Sequence, residues 1–243
     1  CQRRFGCGFA AYSYKTNGIY IDRILSVKPS TSIYNGTSAF LLTVRIKNTG
    51  SKKLSMAYNE SVTANYETMQ QQRQATAEKK VKYVNTLFQD SENQVIGMHI
   101  KGVNDDPLLF PTKDAISMYE GFPPDLFIKS ISRNVKLLNN GNDIVARSEF
   151  TLKPNEEKII KLIIGYSFEN EVSSIEQISK ELNTSENNLS FKNDIPESVF
   201  AADWLKVLPQ FKNEADKQLQ SELIWDTYVL EAMATYSNYY KET

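Results

Sequence analysis

The chain has 243 residues, a hydrophobic fraction of 41% and a net charge of −1. Charges of both signs are interspersed along a globular composition, which excludes the basic field that nucleic acid or an anionic membrane surface requires. A single histidine and two cysteines exclude a zinc site and a disulfide framework, and no apolar run approaches the ~20 residues of a membrane-spanning helix.

The two cysteines, Cys1 and Cys7, both lie at the start of the sequence. Cys1 matches the lipid-bearing residue of a mature bacterial lipoprotein, which would place the chain in the periplasm or on the cell surface. Strand-like sequence begins at once, however, without the flexible tether that such an anchor needs, and this favours an ordinary domain edge. We therefore expect a cytoplasmic bacterial protein, with the lipoprotein as the alternative.

Most of the chain has the alternating or continuous apolar pattern of β-strands separated by turn residues. Asn17-Gly18 supplies the positive φ values of a tight hairpin turn, and residues 139–142 and 153–156 carry further turn signals. Strands and helices do not alternate, so an antiparallel sandwich is predicted rather than a parallel α/β sheet. The nine predicted strands are 8–15, 18–28, 39–47, 54–66, 81–89, 94–101, 126–133, 144–152 and 158–168.

The pattern changes to helix after residue 168. Residues 173–182 and 198–208 predict two short helices, the first with a serine N-cap. A third helix is predicted from Leu219 to Tyr240, and its apolar residues cover nearly the whole circumference, so we expect partners on several of its sides. The predicted organisation is a β-sandwich domain over 1–182, a linker over 183–197 and a helical segment over 198–243.

Residue types suited to catalysis are scarce. Any Ser-His-Asp or Cys-His arrangement depends on His99, whose position in an alternating strand is typical of an ordinary surface histidine. Residues 6–11 match the dinucleotide pattern G-x-G-x-x-A, but no apolar strand precedes them and strand-like sequence follows. No catalytic residue, metal site or cofactor is predicted. The carboxylates considered for acid–base chemistry, each expected to be a solvated surface acid, are Glu60, Glu67, Asp105, Asp106 and Asp125.

Several short motifs in a fixed order carry a resemblance to a known group of proteins. They occupy residues 5–10, 24–29, 42–49, 152–156 and 163–165, followed by helix motifs at 222–226 and 236–240. Together they resemble the N-terminal β-supersandwich of bacterial carbohydrate-active enzymes that continue into an (α/α)6 barrel. This is the group around glycoside hydrolase family 94 phosphorylases and debranching-type glucosidases, in which an Asn-Thr turn after a strand and a late proline turn recur.

The resemblance implies a mainly β fold, an antiparallel β-supersandwich followed by C-terminal helices, with 198–243 as the start of a truncated barrel. It implies a non-catalytic domain of a glycoside hydrolase or glycoside phosphorylase, which would support the barrel and its substrate entrance. The catalytic carboxylates of that group lie in the barrel, so none is assigned here. The implied partners are the remaining barrel, carbohydrate bound by the whole enzyme, and a second copy in a homo-oligomer.

Two residues of the third helix, Trp225 and Glu222, are the ones that the resemblance brings nearest to a sugar. The ordinary interpretations are helix packing for Trp225 and a helix-surface acid for Glu222. A stand-alone carbohydrate-binding or cell-surface adhesion module is the alternative function, because it uses the same sandwich and tyrosine-rich composition. A self-contained enzyme ranks last, since no convergent acid, base and nucleophile are visible.

Overall fold

The computed structural model describes residues 1–29, 38–63, 82–103, 125–167, 172–182, 191–192, 195–208 and 215–233. These residues form antiparallel strands followed by helices. The strands are β1 (Gln2–Gly6), β2 (Phe9–Thr16), β3 (Ile19–Ser26), β4 (Ala39–Asn48), β5 (Leu54–Thr63), β6 (Lys82–Asp90), β7 (Val95–Val103), β8 (Asp125–Ser130), β9 (Lys136–Asn140), β10 (Asp143–Leu152), β11 (Glu157–Ser167), β12 (Phe191–Lys192) and β13 (Ile195–Pro196). The helices are α1 (Val172–Leu182), α2 (Ala201–Val207) and α3 (Lys217–Met233).

The predicted fold class, mainly antiparallel β followed by C-terminal helices, is confirmed, and each of the nine predicted strands is present. The prediction missed β1 and β9 as well as the two-residue strands β12 and β13. Strand β1 is an edge strand with every residue but its last exposed, so it carries no apolar alternation. The strands β12 and β13 fall inside the predicted linker, whose limits stay a prediction. The part of the third predicted helix beyond Met233 lies outside the described residues.

The chain divides into two compact units, each made of separate segments. The first unit comprises Cys1–Met56, Phe150–Ile163 and Ile178–Thr243, and the second comprises Ala57–Glu149 and Ile164–Gln177. Strands of the first unit follow the order β1-β2-β3-β4-β11, and burial rises from the exposed β1 to the almost wholly buried β4. The apolar run of β4 therefore forms the centre of this unit, because it is covered on both faces.

A buried ion pair lies within the sheet of the first unit. Asp22 on β3 and Arg45 on β4 are cross-strand partners, and Arg45 donates from Nε and Nη2 to Asp22 Oδ2 at 2.9 and 2.7 Å. Ser13 Oγ donates to the other carboxylate oxygen at 2.6 Å. Both oxygens of the carboxylate are therefore hydrogen-bonded, which is the condition for tolerating a charge in the interior.

Asn48, the last residue of β4, joins two of the turns that carry the family resemblance. Its backbone N–H donates to the carbonyl of Glu156 in the proline turn at 2.9 Å. Its side chain uses the amide as both donor and acceptor, so that the ends of β4 and β10 are tied together. The side-chain partners are the carbonyls of Lys52 at 2.8 Å and Leu152 at 3.1 Å and the N–H of Gly50 at 3.0 Å.

The second unit contains the strand order β8-β7-β6, the strand β9, and the parts of β5, β10 and β11 that fall within its residue ranges. One face of β7 and β8 is apolar and buried, with Met98 opposite Leu126 and Ile96 opposite Ile128. On the other face Gly97 has no room for a side chain, since an added Cβ would lie 2.2 Å from the Phe88 ring. The glycine thus lets Phe88 lie flat across the neighbouring strand.

Candidate functional site

The helix α2 is fixed to the first β-hairpin by Trp204. Its side chain is buried, and the indole Nε1 donates to the carbonyl of Val27 at 2.8 Å. The same ring lies against Gly8, where an added Cβ would come within 1.8 Å of Nε1. Gly8 also has a φ of +72°, so both its backbone conformation and its missing side chain are needed here.

The helix α3 docks on this anchor through a row of three aromatic rings. Trp204 and Tyr228 meet edge to face, with ring centroids 4.9 Å apart and planes at 80°. Trp225 lies one helical turn before Tyr228, and the centroids of these two rings are 5.3 Å apart with their planes at 40°. The row runs from the buried Trp204 to Trp225, which is 41% exposed. Trp225, predicted from the sequence as a sugar contact, is thus the accessible end of a rigid aromatic row.

Glu222 lies one turn before Trp225 and is exposed. Residues three apart are neighbours on a helix surface, so the carboxylate and the indole are adjacent. Gln218 Nε2 donates to Glu222 Oε1 at 3.0 Å, which restricts the carboxylate. An indole can pack on the apolar face of a sugar ring while a carboxylate accepts its hydroxyl protons. The structure therefore places the two predicted site residues together, and their sugar-binding role stays a prediction.

An apolar stripe occupies the side of α3 that faces away from the aromatic row. It consists of Leu219, Leu223 and Leu230, all exposed, with Leu230 at 74%. Tyr228 is nine residues from Leu219, about two and a half helical turns, and therefore points to the opposite side. We call these three residues the leucine stripe. The helix α3 is therefore packed on one side and apolar on the other, and the sequence expectation of partners on several sides stays a prediction.

A second cluster, in the second unit, joins a histidine to a buried carboxylate. Met98 pairs with Leu126 across β7 and β8, so the next residues, His99 and Asp125, are also opposite each other. His99 Nδ1 and Asp125 Oδ2 are 2.5 Å apart, with side-chain exposures of 39% and 3%. The Phe88 ring lies on the imidazole at 4.5 Å and 30°. The imidazole is therefore oriented by the carboxylate of Asp125 and by the ring of Phe88.

This geometry corrects two expectations from the sequence. Asp125 is not a solvated surface acid, and His99, expected to be an ordinary surface histidine, is bound to this buried carboxylate although its side chain is 39% exposed. Burial raises the pKa of the Asp125 carboxyl, while the hydrogen bond and the charge of His99 act in the opposite direction. The signal was invisible in the sequence because the two residues are 26 positions apart and meet only through strand register. The pair orients an imidazole, whereas catalysis would also require a nucleophile and an oxyanion site.

The remaining candidates have structural explanations or fall outside the described residues. Glu60 accepts a hydrogen bond from the hydroxyl of Tyr58 on the same face of β5. The stretch 6–11 forms the turn between β1 and β2, with Gly6 opposite Phe9, so it is a hairpin and not a strand-to-helix turn. The candidates outside the described residues are Glu67, Asp105 and Asp106.

Cys1 is exposed and Cys7 is half-buried, and both carry free thiols. Within the described ranges, no three His, Cys, Asp or Glu side chains come together in a way that would hold a metal ion. None of the described helices combines the length and the apolar composition needed to cross a membrane.

No family model and no curated protein matches this chain. Among the solved structures that resemble it, a human-microbiome protein assigned as a kojibiose phosphorylase is 11% identical, with a TM-score of 0.55 over 92% of this chain and 26% of that one. The galactosidase domain of an alpha-galactosidase-sucrose kinase is 10% identical, with a TM-score of 0.34 over 65% of this chain and 24% of that one. An Escherichia coli K12 protein assigned as an aldose 1-epimerase is 7% identical, with a TM-score of 0.32 over 65% of this chain and 64% of that one. Only the first score supports a common fold, and this chain spans about a quarter of that protein's length.

Proposed function

We propose that this chain is the non-catalytic N-terminal supersandwich domain of a bacterial glycoside hydrolase or glycoside phosphorylase that continues into an (α/α)6 barrel. The observation that supports this most is the common fold with the kojibiose phosphorylase assignment, over 92% of this chain but only 26% of that protein. The catalytic residues would then lie in the remaining part of the enzyme. The sandwich would support that part and border its substrate entrance.

The leucine stripe is the surface on which the rest of the enzyme would pack. In this proposal α3 is the first helix of the barrel, and Leu219, Leu223 and Leu230 face its next helices. Completing the burial of each leucine side chain contributes on the order of 1 kcal/mol. The aromatic row on the opposite side would hold the barrel helix against the sandwich, and Trp225 with Glu222 would lie at the border between the two domains.

The proposal is tested by comparing the chain alone with the longer polypeptide encoded by its reading frame. The chain alone is expected to neither hydrolyse nor phosphorolyse glycosides, whereas the longer protein does one or the other. Leu223→Asp and Leu230→Asp should lower the melting temperature of the longer protein but leave that of the chain alone nearly unchanged, because only the longer protein covers the leucine stripe. Both melting temperatures are measured by calorimetry.

Leu138→Asp is the matched control for Leu223→Asp, because Leu138 is exposed to a degree similar to Leu223 but lies on β9. It should leave both melting temperatures nearly unchanged. Equal losses in the control and in the stripe variants, or a longer frame without helical repeats and without activity, would contradict the proposal. A cytoplasmic location, a homo-oligomeric state and domain limits at residues 182 and 197 are further proposals that follow from the same assignment.

A stand-alone carbohydrate-binding module is the second candidate, favoured by the accessible pair of Trp225 and Glu222. Under this function the chain alone binds neutral oligosaccharides, and Trp225→Ala abolishes the calorimetric signal. Trp204→Phe is not a suitable control, since Trp204 anchors the helix, so Leu219→Ala on the opposite side of α3 serves instead. An unchanged signal in Trp225→Ala would remove this role.

A further inference from the structure

Four strands lie at the edges of the two larger sheets that the described residues form, and three of these strands carry features that oppose pairing with another chain. Strand β1 is five residues long and contains Arg3 and Arg4. Strand β9 is also five residues long and begins at Lys136, whereas β5 is longer but has Glu60 on its half-buried side. Short length, cations and inward-pointing charges are the means by which natural sheets protect their edges.

The fourth edge strand, β6, has none of these protective features. It is nine residues long, and residues 83–89 contain no charged residue and no proline. It pairs with β7 from Lys82 to Asp90 without a bulge, and among the described strands β7 is its only neighbour. The edge of β6 therefore offers a long, regular and uncharged row of backbone groups with which another strand can pair.

Exposed apolar side chains lie on both faces of β6. Val84 is 51% exposed and Leu87 is 39% exposed. Because successive side chains of a strand alternate between the two faces of its sheet, Val84 and Leu87 lie on opposite faces. A partner that packed on one face of the sheet would cover only one of them, whereas a strand added at the edge would cover part of both. The position of the exposed residues thus indicates a partner that pairs with the edge.

The sequence of β6 is complementary to itself in one antiparallel register. Thr86 is its middle residue, so placing Thr86 opposite Thr86 of the partner subunit pairs all nine residues, and any other register leaves some of them unpaired. In this register Val84 lies opposite Phe88 of the partner subunit on both sides of a two-fold axis. Pairs of a β-branched and an aromatic residue, and pairs of two threonines, stabilise neighbouring strands.

We infer that two copies of this chain form a dimer in which β6 pairs with β6 of the second copy, antiparallel and about a two-fold axis at Thr86. Both copies use the same surface, so the assembly closes at two and does not grow into a fibre. The other edge strand of the sheet, β1, is protected by its arginines against further pairing. The inference gives a surface to the homo-oligomeric state proposed above, but it is drawn from β6 alone and does not require the carbohydrate function.

An extended segment of a different protein is the other kind of partner that pairs with a sheet edge. Such a segment requires no symmetry in β6, whereas the central Thr86, with Val84 and Phe88 at equal distances from it, matches a two-fold arrangement. Like charges placed opposite each other destabilise a pair of strands, and the seven central residues of β6 have none. A second copy is therefore the partner that the strand favours.

Sedimentation velocity of the full chain over a concentration series tests the inference. The chain should dimerise with a Kd in the micromolar range, because a single pair of strands is a small interface. Thr86→Lys should raise this Kd at least ~10-fold, since two lysines then lie opposite each other at the axis, and Thr86→Glu should do the same. An equimolar mixture of the two variants should restore the dimer, because only the two-fold register brings residue 86 opposite itself.

Thr16→Lys is the matched control, because Thr16 is an exposed threonine on β2 of the first unit, and Leu230→Asp is a second control that alters the leucine stripe. Both should leave the Kd of the dimer unchanged, and circular dichroism confirms that each variant is folded. A chain that stays monomeric, a dimer that persists in Thr86→Lys, a mixture that does not recover the dimer, or a dimer lost in Leu230→Asp would each overturn the inference.

The scaffold proposal is judged by the activity and the melting temperature of the longer polypeptide. The dimer is judged by the association of the chain itself, so either proposal can fail without the other.

Discussion

Each of the two units contains a buried aspartate with a cross-strand partner, and the two pairs differ in the chemistry of that partner. Asp22 in the first unit is bound by Arg45, which stays protonated at every accessible pH. Asp125 in the second unit is bound by His99, and burial raises the pKa of this carboxyl. The comparison shows that the same topological solution, an acid paired across neighbouring strands, gives a permanent charge pair in one unit and a titratable pair in the other.

The largest effect is expected from Arg45→Met. Asp22 has no exposed surface, so removing its cation leaves a buried carboxylate whose remaining hydrogen-bond donor among the described residues is Ser13. We expect a loss of about 3–5 kcal/mol in the free energy of unfolding, measured by urea denaturation at pH 7. The control Arg45→Met with Asp22→Leu should recover much of the loss, since no charge remains buried. A single-variant loss below 1 kcal/mol would mean that the pair is not the structural requirement that its burial indicates.

An intermediate effect is expected from pH on the second pair. Because burial raises the Asp125 pKa above its ordinary 3.8, the folded state binds the proton more tightly than the unfolded state. The stabilising contribution is complete below the ordinary pKa and is lost as pH rises through the raised folded pKa. The free energy of unfolding of the native chain, relative to Asp125→Asn, should therefore fall as pH rises from acidic to neutral.

Urea denaturation of both proteins at a series of pH values measures this difference, and the single histidine gives an isolated NMR signal for the partner. For the first pair, the same difference in the free energy of unfolding is measured between the native protein and Asp22→Asn. If the difference between the native chain and Asp125→Asn does not change with pH, the proposed contrast between a titratable and a permanent pair is wrong.

The smallest effect is expected from an exposed ion pair. Arg147 Nη2 lies 2.9 Å from Glu149 Oε1 on β10, and both side chains are exposed to solvent. Arg147→Gln should change the free energy of unfolding by no more than about 0.5 kcal/mol, because solvent screens such pairs. Denaturation at low and high salt checks this. A loss of free energy of unfolding comparable to that of Arg45→Met would show that burial does not explain the difference between the pairs.

The sequence was sufficient for the strands but not for their pairing. Alternation and turn residues predicted each of the nine longer strands, since one face of each strand must be apolar. The strand β1 was missed because exposure on an edge leaves no alternation to detect. The His99–Asp125 pair was missed because register between distant strands is not encoded in either strand alone. The Asn-Thr and proline turns were recognised as motifs, but their joining through Asn48 emerged only from the structure.

The candidate site divides in the same way. Trp225 and Glu222 are adjacent because both lie on one helix, so their proximity followed from spacing. Trp204 belongs to another helix, and its edge-to-face contact with Tyr228 depends on how the helices pack.

The contact between Trp204 and the first hairpin has a consequence for the order of folding. The indole reaches a carbonyl 177 residues earlier in the chain and occupies the space that Gly8 leaves empty. During synthesis the hairpin is complete long before Trp204 leaves the ribosome. The surface on which α2 packs is therefore made before α2 itself. Closing so long a loop costs entropy, and α2 and α3 should therefore attach late and detach first. Gly8→Ala should therefore allow the sheet to fold but prevent α2 and α3 from packing on it.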